Sequence, residues 1–357
     1  MKTGIISRIT ENMFRYQGWP TVCRDENGVL YCASSGFRLG HICPFGKNVL
    51  YKSSDGGETW SSGTVINDTC LDDRDAGLLY VGKGRMILTY FSHPKEFYIE
   101  RRGRILLNPY GKSESLCNGM VDALAELPPE KNTFGSFVKI SDDYGNSWGP
   151  SIKVPVSSPH GPLALPDGRL LYVGKEFHSG CFEKEAVMCF ESKDGGETWT
   201  YKSTIDVPEG LSKDNFHEPH ACVLPDGKIL CGIRGQGNGV DFGFTVYTCV
   251  SDDAGETWTV PQATGICGSP PHFLVHSSGA VVLVYGRRSA PCGERARISC
   301  DGGITFGEEI VLGDETDTWD LGYPSSVELD DGSVFTAYYQ HAPGDDYCSV
   351  LYTKWNI

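Results

Sequence analysis

Six times along the chain, an apolar run, a tight turn ending in glycine and a second apolar run follow one another. The copies read PTVCRDENGVLYCAS, AGLLYVGKGRMILTYF, PLALPDGRLLYVGK, PHACVLPDGKILCGIR, PHFLVHSSGAVVLVYG and PSSVELDDGSVFTAYY. Their turn glycines are Gly28, Gly84, Gly168, Gly227, Gly279 and Gly332. Asn-Gly and Asp-Gly supply the positive backbone angles that hairpin turns require. Apolar runs on both sides of the turn mark strands buried on both faces. The pattern therefore predicts six hairpins.

A second pattern, S-x-D-x-G-x-[TS]-[WF], recurs at Ser53–Trp60, Ser141–Trp148, Ser192–Trp199, Ser251–Trp258 and, more weakly, Ser299–Phe306. Asp and Gly form a turn in which the Asp carboxylate accepts backbone N–H bonds. The closing aromatic ring is free to bury itself between neighbouring sheets. Gly28 precedes Asp55 by 27 residues, Gly168 precedes Asp194 by 26, Gly227 precedes Asp253 by 26 and Gly279 precedes Asp301 by 22. Each unit is thus hairpin first and Asp turn second, four strands in all. Four-stranded sheets repeated around an axis make a propeller. The expected fold is an all-β, six-bladed β-propeller of four-stranded antiparallel blades, one domain over residues 1–357. Gly84 precedes Asp143 by 59, an excess of about 33 residues that marks an insertion at about 93–134. The sixth unit lacks an Asp turn, so the N-terminal strand, Gly4–Phe14, is expected to complete the last sheet and close the ring. Closure removes exposed sheet edges.

Strand direction alternates within a blade, so the Gly turns and Asp turns share one face. The starts of the inner strands and the ends of the second strands share the other. The inner starts are Gln17-Gly18-Trp19-Pro20, Asp72-Asp73-Arg74-Asp75, Ser158-Pro159-His160-Gly161, Phe216-His217-Glu218-Pro219-His220, Ser269-Pro270-Pro271-His272 and Asp320-Leu321-Gly322-Tyr323-Pro324. The second strands end near Arg38, His93, Lys175, Glu176, His178, Arg234, Arg287, Arg288 and His341. Six converging blades offer a route to one polar pocket. The insertion leaves the same face, carries Arg101, Arg102 and Arg104 and a short helical stretch near Asn118–Glu126, and reads either as a lid or as rim packing. The Asp turns, on the far face, are expected to be structural.

Composition narrows the partners. Formal net charge is -15, which disfavours a polyanion such as nucleic acid. The opening MKTGIISRITENMF lacks the apolar core of a signal peptide, and no apolar stretch approaches a membrane span. A cytoplasmic protein without membrane contact is expected, its 14 cysteines reduced and filling small core positions, as Cys23/Cys32 and Cys222/Cys231 do across two hairpins. Cys/His metal spacing is missing, and neither a metal nor another cofactor is expected.

The repeated Asp turns and six-unit plan resemble the sialidase (neuraminidase) superfamily, specifically bacterial exo-α-sialidase-like proteins with Asp-box (BNR) repeats. The resemblance covers nearly the whole chain. It implies a retaining, exo-acting glycoside hydrolase with a tyrosyl intermediate and a carbohydrate substrate ending in an acidic sugar. Tyr323, in the last blade, takes the nucleophile role; Glu218 is its partner; Asp75, with Asp73 as rival, is the acid/base. Arg234 matches the second arginine of a carboxylate clamp. Where the family reads Arg-x-Pro in its first blade, this chain reads Gly18-Trp19-Pro20, so the first clamp arginine is missing from its place, with Arg15 and Arg74 as substitutes. The third has four candidates, Arg287, Arg288, Arg295 and Arg297. Trp19 stacks on a sugar or plugs the axis. His160, His220 and His272, at one position in three blades, and Asp320 complete the expected substrate contacts. Two other classes stay open: a non-catalytic carbohydrate-binding propeller, and a polysaccharide lyase using His or Tyr as base.

Overall fold

The computed structural model describes residues 1–106, 114–178, 184–313, 316 and 318–357. Six antiparallel sheets, each built from four consecutive strand positions, stand around a common axis. Their innermost strands are Tyr16–Arg24, Arg74–Gly82, the pair Val156–Ser157 and Leu163–Ala164, Phe216–Val223, Pro271–Val275 and Gly322–Glu328. In blade 3 both short segments pair with Leu170–Glu176, the second strand. The chain between them bends around the turn at Ser158–Gly161.

The last sheet has the order Lys2–Ser7, Cys348–Trp355, Val334–His341, Gly322–Glu328. The N-terminal strand therefore closes the ring, antiparallel to Cys348–Trp355 from Lys2↔Lys354 to Ser7↔Val350. It is shorter than Gly4–Phe14 and begins earlier. Beyond Ser7 the chain leaves the sheet for the pocket face, where Phe14 packs against the insertion.

The core lies between blades rather than in one centre. Val22, Cys32 and Tyr51 of blade 1 meet Phe335, Ala337 and Tyr352 of blade 6. Comparable clusters fill the five other gaps. The Asp turns lock these interfaces. In the first, Ser53 Oγ donates to Asp55 Oδ1 at 2.7 Å, the Thr59 amide donates to Asp55 Oδ1 at 2.9 Å, and Trp60 Nε1 donates to the Gly57 carbonyl at 3.1 Å. Trp60 packs 5.8 Å from Phe335 of the neighbouring blade. The same carboxylate pattern recurs at Asp143, Asp194, Asp253 and Asp301.

Three helices form the insertion: α1 (Lys95–Glu100), α2 (Arg102–Leu106) and α3 (Glu114–Ala125). Residues 107–113 of the expected segment lie outside the described residues. Tyr98, Ile105, Cys117, Val121 and Leu124 bury an apolar face on Leu39, Cys43 and Leu71 of blades 1 and 2. Arg101 lies over the Phe97 ring, and Arg102 bonds Asn118 and Asp122, so these two cations serve the insertion's own packing. Among the described residues the cysteines are free thiols, Cys23, Cys32 and Cys231 buried but Cys222 only half-buried, and no helix is long and apolar enough to cross a membrane.

Candidate active site

Four inner strands begin with the same irregularity. Between Gly18 and Thr21, Arg74 and Gly77, His217 and His220, and Gly322 and Ser325, one extra residue interrupts the pairing. Each bulge holds a non-glycine residue in the left-handed region: Trp19 (φ 53°), Asp75 (φ 53°), Glu218 (φ 46°) and Tyr323 (φ 52°). A bulge re-aims a side chain that regular alternation would point elsewhere. Left-handed backbone at such residues costs about 1–3 kcal/mol and is retained where surrounding contacts over-determine it. Four blades thus turn four side chains by one device.

Three of these side chains meet. The Tyr323 hydroxyl donates to Glu218 Oε1 at 2.5 Å. Arg234 Nη1 reaches the other carboxylate oxygen at 2.5 Å and the Tyr323 oxygen at 3.2 Å. Burial, with Glu218 beside it, pushes the Tyr323 phenol up, so it stays neutral. Burial opposes the charge of Glu218, but Arg234, the Tyr323 hydroxyl and Arg288 outweigh it and hold its carboxyl below the ordinary range. Asp75 faces this group closely enough that the charges interact. Its carboxyl is pushed up to about 7 by burial and Glu218, against the pull of Arg74, and its Oδ1 is buried without a hydrogen-bond partner. An ionised carboxylate and a carboxyl poised near neutrality, both interacting with a neutral phenol, form an acid–base constellation.

The cations divide by what they pair with. Arg288 lies 5.5 Å over the Tyr323 ring, donates to the Leu321 carbonyl at 3.1 Å and leaves its Nε unpartnered. Arg287, Arg295 and Arg297 gather instead on Glu309, at 2.9, 3.3 and 4.0 Å. Of the four candidates for a third clamp arginine, Arg288 is the one at the tyrosine. Arg15 sits at the rim on Asp346 and Tyr347. Arg74 lies 4.3 Å over the Trp19 ring, its charge facing Asp72 at 3.4 Å and Asp75. Asp72 is fully buried; it pairs with Arg38 and accepts the Tyr98 hydroxyl of α1 at 3.1 Å, which ties the insertion to the floor of the site. Asp73 turns away: Thr69 supplies its backbone amide at 2.9 Å and its hydroxyl at 2.7 Å, closing a local loop.

Trp19 is buried beside Tyr16, Tyr323 and Tyr339, its ring 6.3 Å from that of Tyr323. His160, His220 and His272 lie one step further along their inner strands. Their rings contact one another, at 4.1 Å between His220 and His272, and line an axial cavity of about 470 Å³ that runs toward the Gly-turn side. Burial keeps all three imidazoles neutral, with His220 lowered to about 3. Their polar partners are Thr21, the Phe273 amide and Ser325, apart from the Tyr323–Glu218 group. Lys175 donates to two backbone carbonyls, Glu176 accepts the Glu185 amide, and His93 and His178 pair at 3.0 Å. Among the described residues no group of three or more His, Cys, Asp or Glu side chains is disposed to hold a metal ion.

Asp320 accepts hydroxyls from Tyr16 and Tyr339, both at 3.0 Å, and pairs with His41 Nδ1 at 2.9 Å. His41, in a loop after the second strand of blade 1, carries no motif and lies 279 residues from its partner. Its one sequence signal is position, three residues beyond Arg38 on the pocket face.

Against known families, residues 124–336 match the model of the BNR repeat-like domain, more than half of the chain. The chain belongs to this family, within the sialidase/BNR-repeat superfamily. A sialidase of Micromonospora viridifaciens is 29% identical over 133 residues, which are 34% of this chain and 19% of that relative's length. Among solved structures, a protein of unknown function from Dyadobacter fermentans superimposes with a TM-score of 0.77 at 24% identity, over 99% of this chain and 98% of its own. The NanB sialidase of Streptococcus pneumoniae gives 0.71 at 14% identity, over 99% and 70%. The intramolecular trans-sialidase of Ruminococcus gnavus gives 0.64 at 15% identity, over 96% and 95%. At these identities the family's propeller is common to all of them.

Proposed function

We propose that the protein is an exo-acting, retaining glycoside hydrolase that releases a terminal acidic sugar through a tyrosyl intermediate. The carrying observation is the Tyr323–Glu218–Arg234 triad, with the Tyr323 hydroxyl 2.5 Å from Glu218 and Asp75 near enough for its charge to act on both. The sialidase and trans-sialidase names of the structural relatives support the same substrate class.

In the first step the Tyr323 oxygen attacks the anomeric carbon while its proton passes to Glu218. A neutral phenol suits an anomeric centre that bears a carboxylate, because an anionic nucleophile would be repelled. Asp75 gives its proton to the glycosidic oxygen as the C–O bond breaks, and the aglycone leaves as an alcohol. In the second step Asp75, now ionised, takes a proton from water, whose oxygen attacks the anomeric carbon. The tyrosyl bond breaks and Glu218 returns the proton to the phenolate. Two inversions give net retention, one of the exceptions to the two-carboxylate scheme. Arg234 and Arg288 hold the sugar's carboxylate by charge-assisted bonds.

Aryl glycosides of sialic acid and of uronic acids test this. Tyr323→Phe should lower turnover by at least about a hundredfold with folding intact. Unchanged turnover would eliminate the nucleophile role and favour a different chemistry. The three histidines give no support to a lyase base, since they lie in the axial cavity with one another.

A further inference from the structure

Two tyrosines stand where the missing arginine would begin. A Cβ at Gly18 would press on the Tyr16 ring at 3.3 Å and touch the Tyr339 ring at 3.6 Å. The hydroxyls of these two tyrosines converge on Asp320, and Asp320 holds His41. The two rings beside Gly18 thus belong to a network that ends in an imidazole.

His41 is fixed from three sides. Its backbone carbonyl accepts Arg38 Nη2 at 3.1 Å and Arg74 Nη1 at 3.0 Å. Its Nδ1 is bonded to Asp320. Its ring meets Trp19 edge-on at 5.1 Å and Trp319 at 5.7 Å. Among the described residues the side-chain bonds of His41 go to Nδ1, and the side chain keeps about a third of its surface open, 32%. Trp319 beside it is 60% exposed among the described residues. Burial and the charges of Arg74 and Arg288, against the pull of Asp320, hold the imidazole below its ordinary range, while His41, Tyr339 and Tyr16 keep Asp320 ionised against burial. Nδ1–H then donates to the carboxylate, and Nε2 presents a lone pair. A preorganised acceptor beside an exposed indole suits a sugar, which offers O–H donors and an apolar C–H face.

We propose that His41, oriented by Asp320, is a specificity-determining residue that accepts a hydroxyl of the bound acidic sugar where the family resemblance implies a clamp arginine, an inference that rests on reading the pocket as a sugar site. Asp320 is a positioning residue in this arrangement. The preferred substrate is an acidic sugar gripped at its carboxylate by Arg234 and Arg288 and read at a neutral hydroxyl by His41.

Binding tests this separately from turnover. N-acetylneuraminic, glucuronic and galacturonic acids are titrated calorimetrically into the wild type and His41→Ala, alongside hydrolysis of the corresponding aryl glycosides. At least one free sugar should bind the wild type, and His41→Ala should weaken it about tenfold, the value of one well-placed hydrogen bond. In the wild type the His41 Cε1–H proton resonance should move on saturation with that sugar, an observation that needs no variant to fold. Binding of none of the three, a loss under about twofold, or an unmoved resonance overturns the proposal. If a sugar binds through His41 but no glycoside is hydrolysed, the hydrolase reading fails and the His41 contact stands. If hydrolysis proceeds and His41→Ala is silent in both assays, the reverse holds.

Discussion

At the scale of single residues, the site is built on strain and on opposed carboxyl groups. In the proposed mechanism the first step requires Glu218 ionised and Asp75 protonated. Glu218 lies below the ordinary carboxylate range and Asp75 near 7, so turnover should plateau between them and fall as pH rises through about 7. Asp75→Asn should flatten that alkaline limb. It should also cost far more on a disaccharide, whose leaving alcohol needs a proton, than on an aryl glycoside with an acidic phenol; equal losses on both would remove Asp75 from the acid role. The same substitution has a stability signature. Because the folded Asp75 binds its proton more tightly than an unfolded one, its ionisation costs native stability increasingly from about pH 4 up to about 7. Asp75→Asn should therefore raise Tm relative to wild type more at pH 8 than at pH 5. The sequence placed Asp75, Glu218 and Tyr323 at inner-strand starts because repeat counting needs only turn spacing. It did not reveal that they share one bulge with Trp19, although the recurring Trp-Pro, Glu-Pro and Tyr-Pro pairs at those starts were a legible trace. Asp73 and Asp75 were inseparable by sequence, since residues two apart share a face of a regular strand and only the bulge after Arg74 re-aims Asp75. His41 was illegible because its meaning comes from Asp320, across the ring closure.

At the scale of the structural element, the Asp turn is a self-contained device. Hydroxyl and amide donors of the following Thr or Ser hold the carboxyls of Asp55, Asp143, Asp253 and Asp301 down to about 2. At Asp194 burial, the largest single influence, pushes the carboxyl up, and the same bonds together outweigh it and bring it to about 2. Depressed folded-state values mean that these groups stabilise fully above about pH 4 and lose that contribution as pH falls through about 2. Asp253→Ala removes one turn far from the pocket. It should lower Tm by about 1–2 °C at pH 7, the equivalent of roughly 1 kcal/mol in a chain of this length, with kcat unchanged. The deficit should shrink toward zero by pH 2; a pH-independent deficit would locate the loss in packing rather than in the carboxylate bonds. These turns were readable in full because the donors and acceptor sit within eight residues. The insertion was readable as a place and as a short helix, but not as three helices whose Tyr98 reaches Asp72, because that contact depends on what blades 1 and 2 expose beneath it. The histidine positions were likewise visible as a recurrence, while their burial in the axial cavity depended on the height of each along its strand.

At the scale of the whole ring, stability and function meet at the closure. Blade 6 carries Tyr323 on its innermost strand and the N-terminal strand on its outermost, so the last sheet joins Tyr323 to residues more than 300 positions earlier. Blade 1 and blade 6 share an apolar interface that includes Ile6, Val22, Phe335 and Tyr352. Without Lys2–Ser7, the strand Cys348–Trp355 would present an unpaired edge, and such edges template association with other chains. The fit is close: a Cβ at Gly4 would lie 2.5 Å from the Tyr352 ring, inside contact distance. Gly4→Val should therefore lift the closing strand from its neighbour without touching the pocket. The expected result is a lower Tm and concentration-dependent light scattering on mild heating, with kcat on the best aryl glycoside retained at temperatures where the ring stays closed. Parallel loss of kcat at those temperatures would mean that Tyr323 feels the outer strand directly through the sheet. A variant that neither unfolds earlier nor aggregates would show that the other three strands of blade 6, packed on blades 1 and 5, hold the ring shut by themselves.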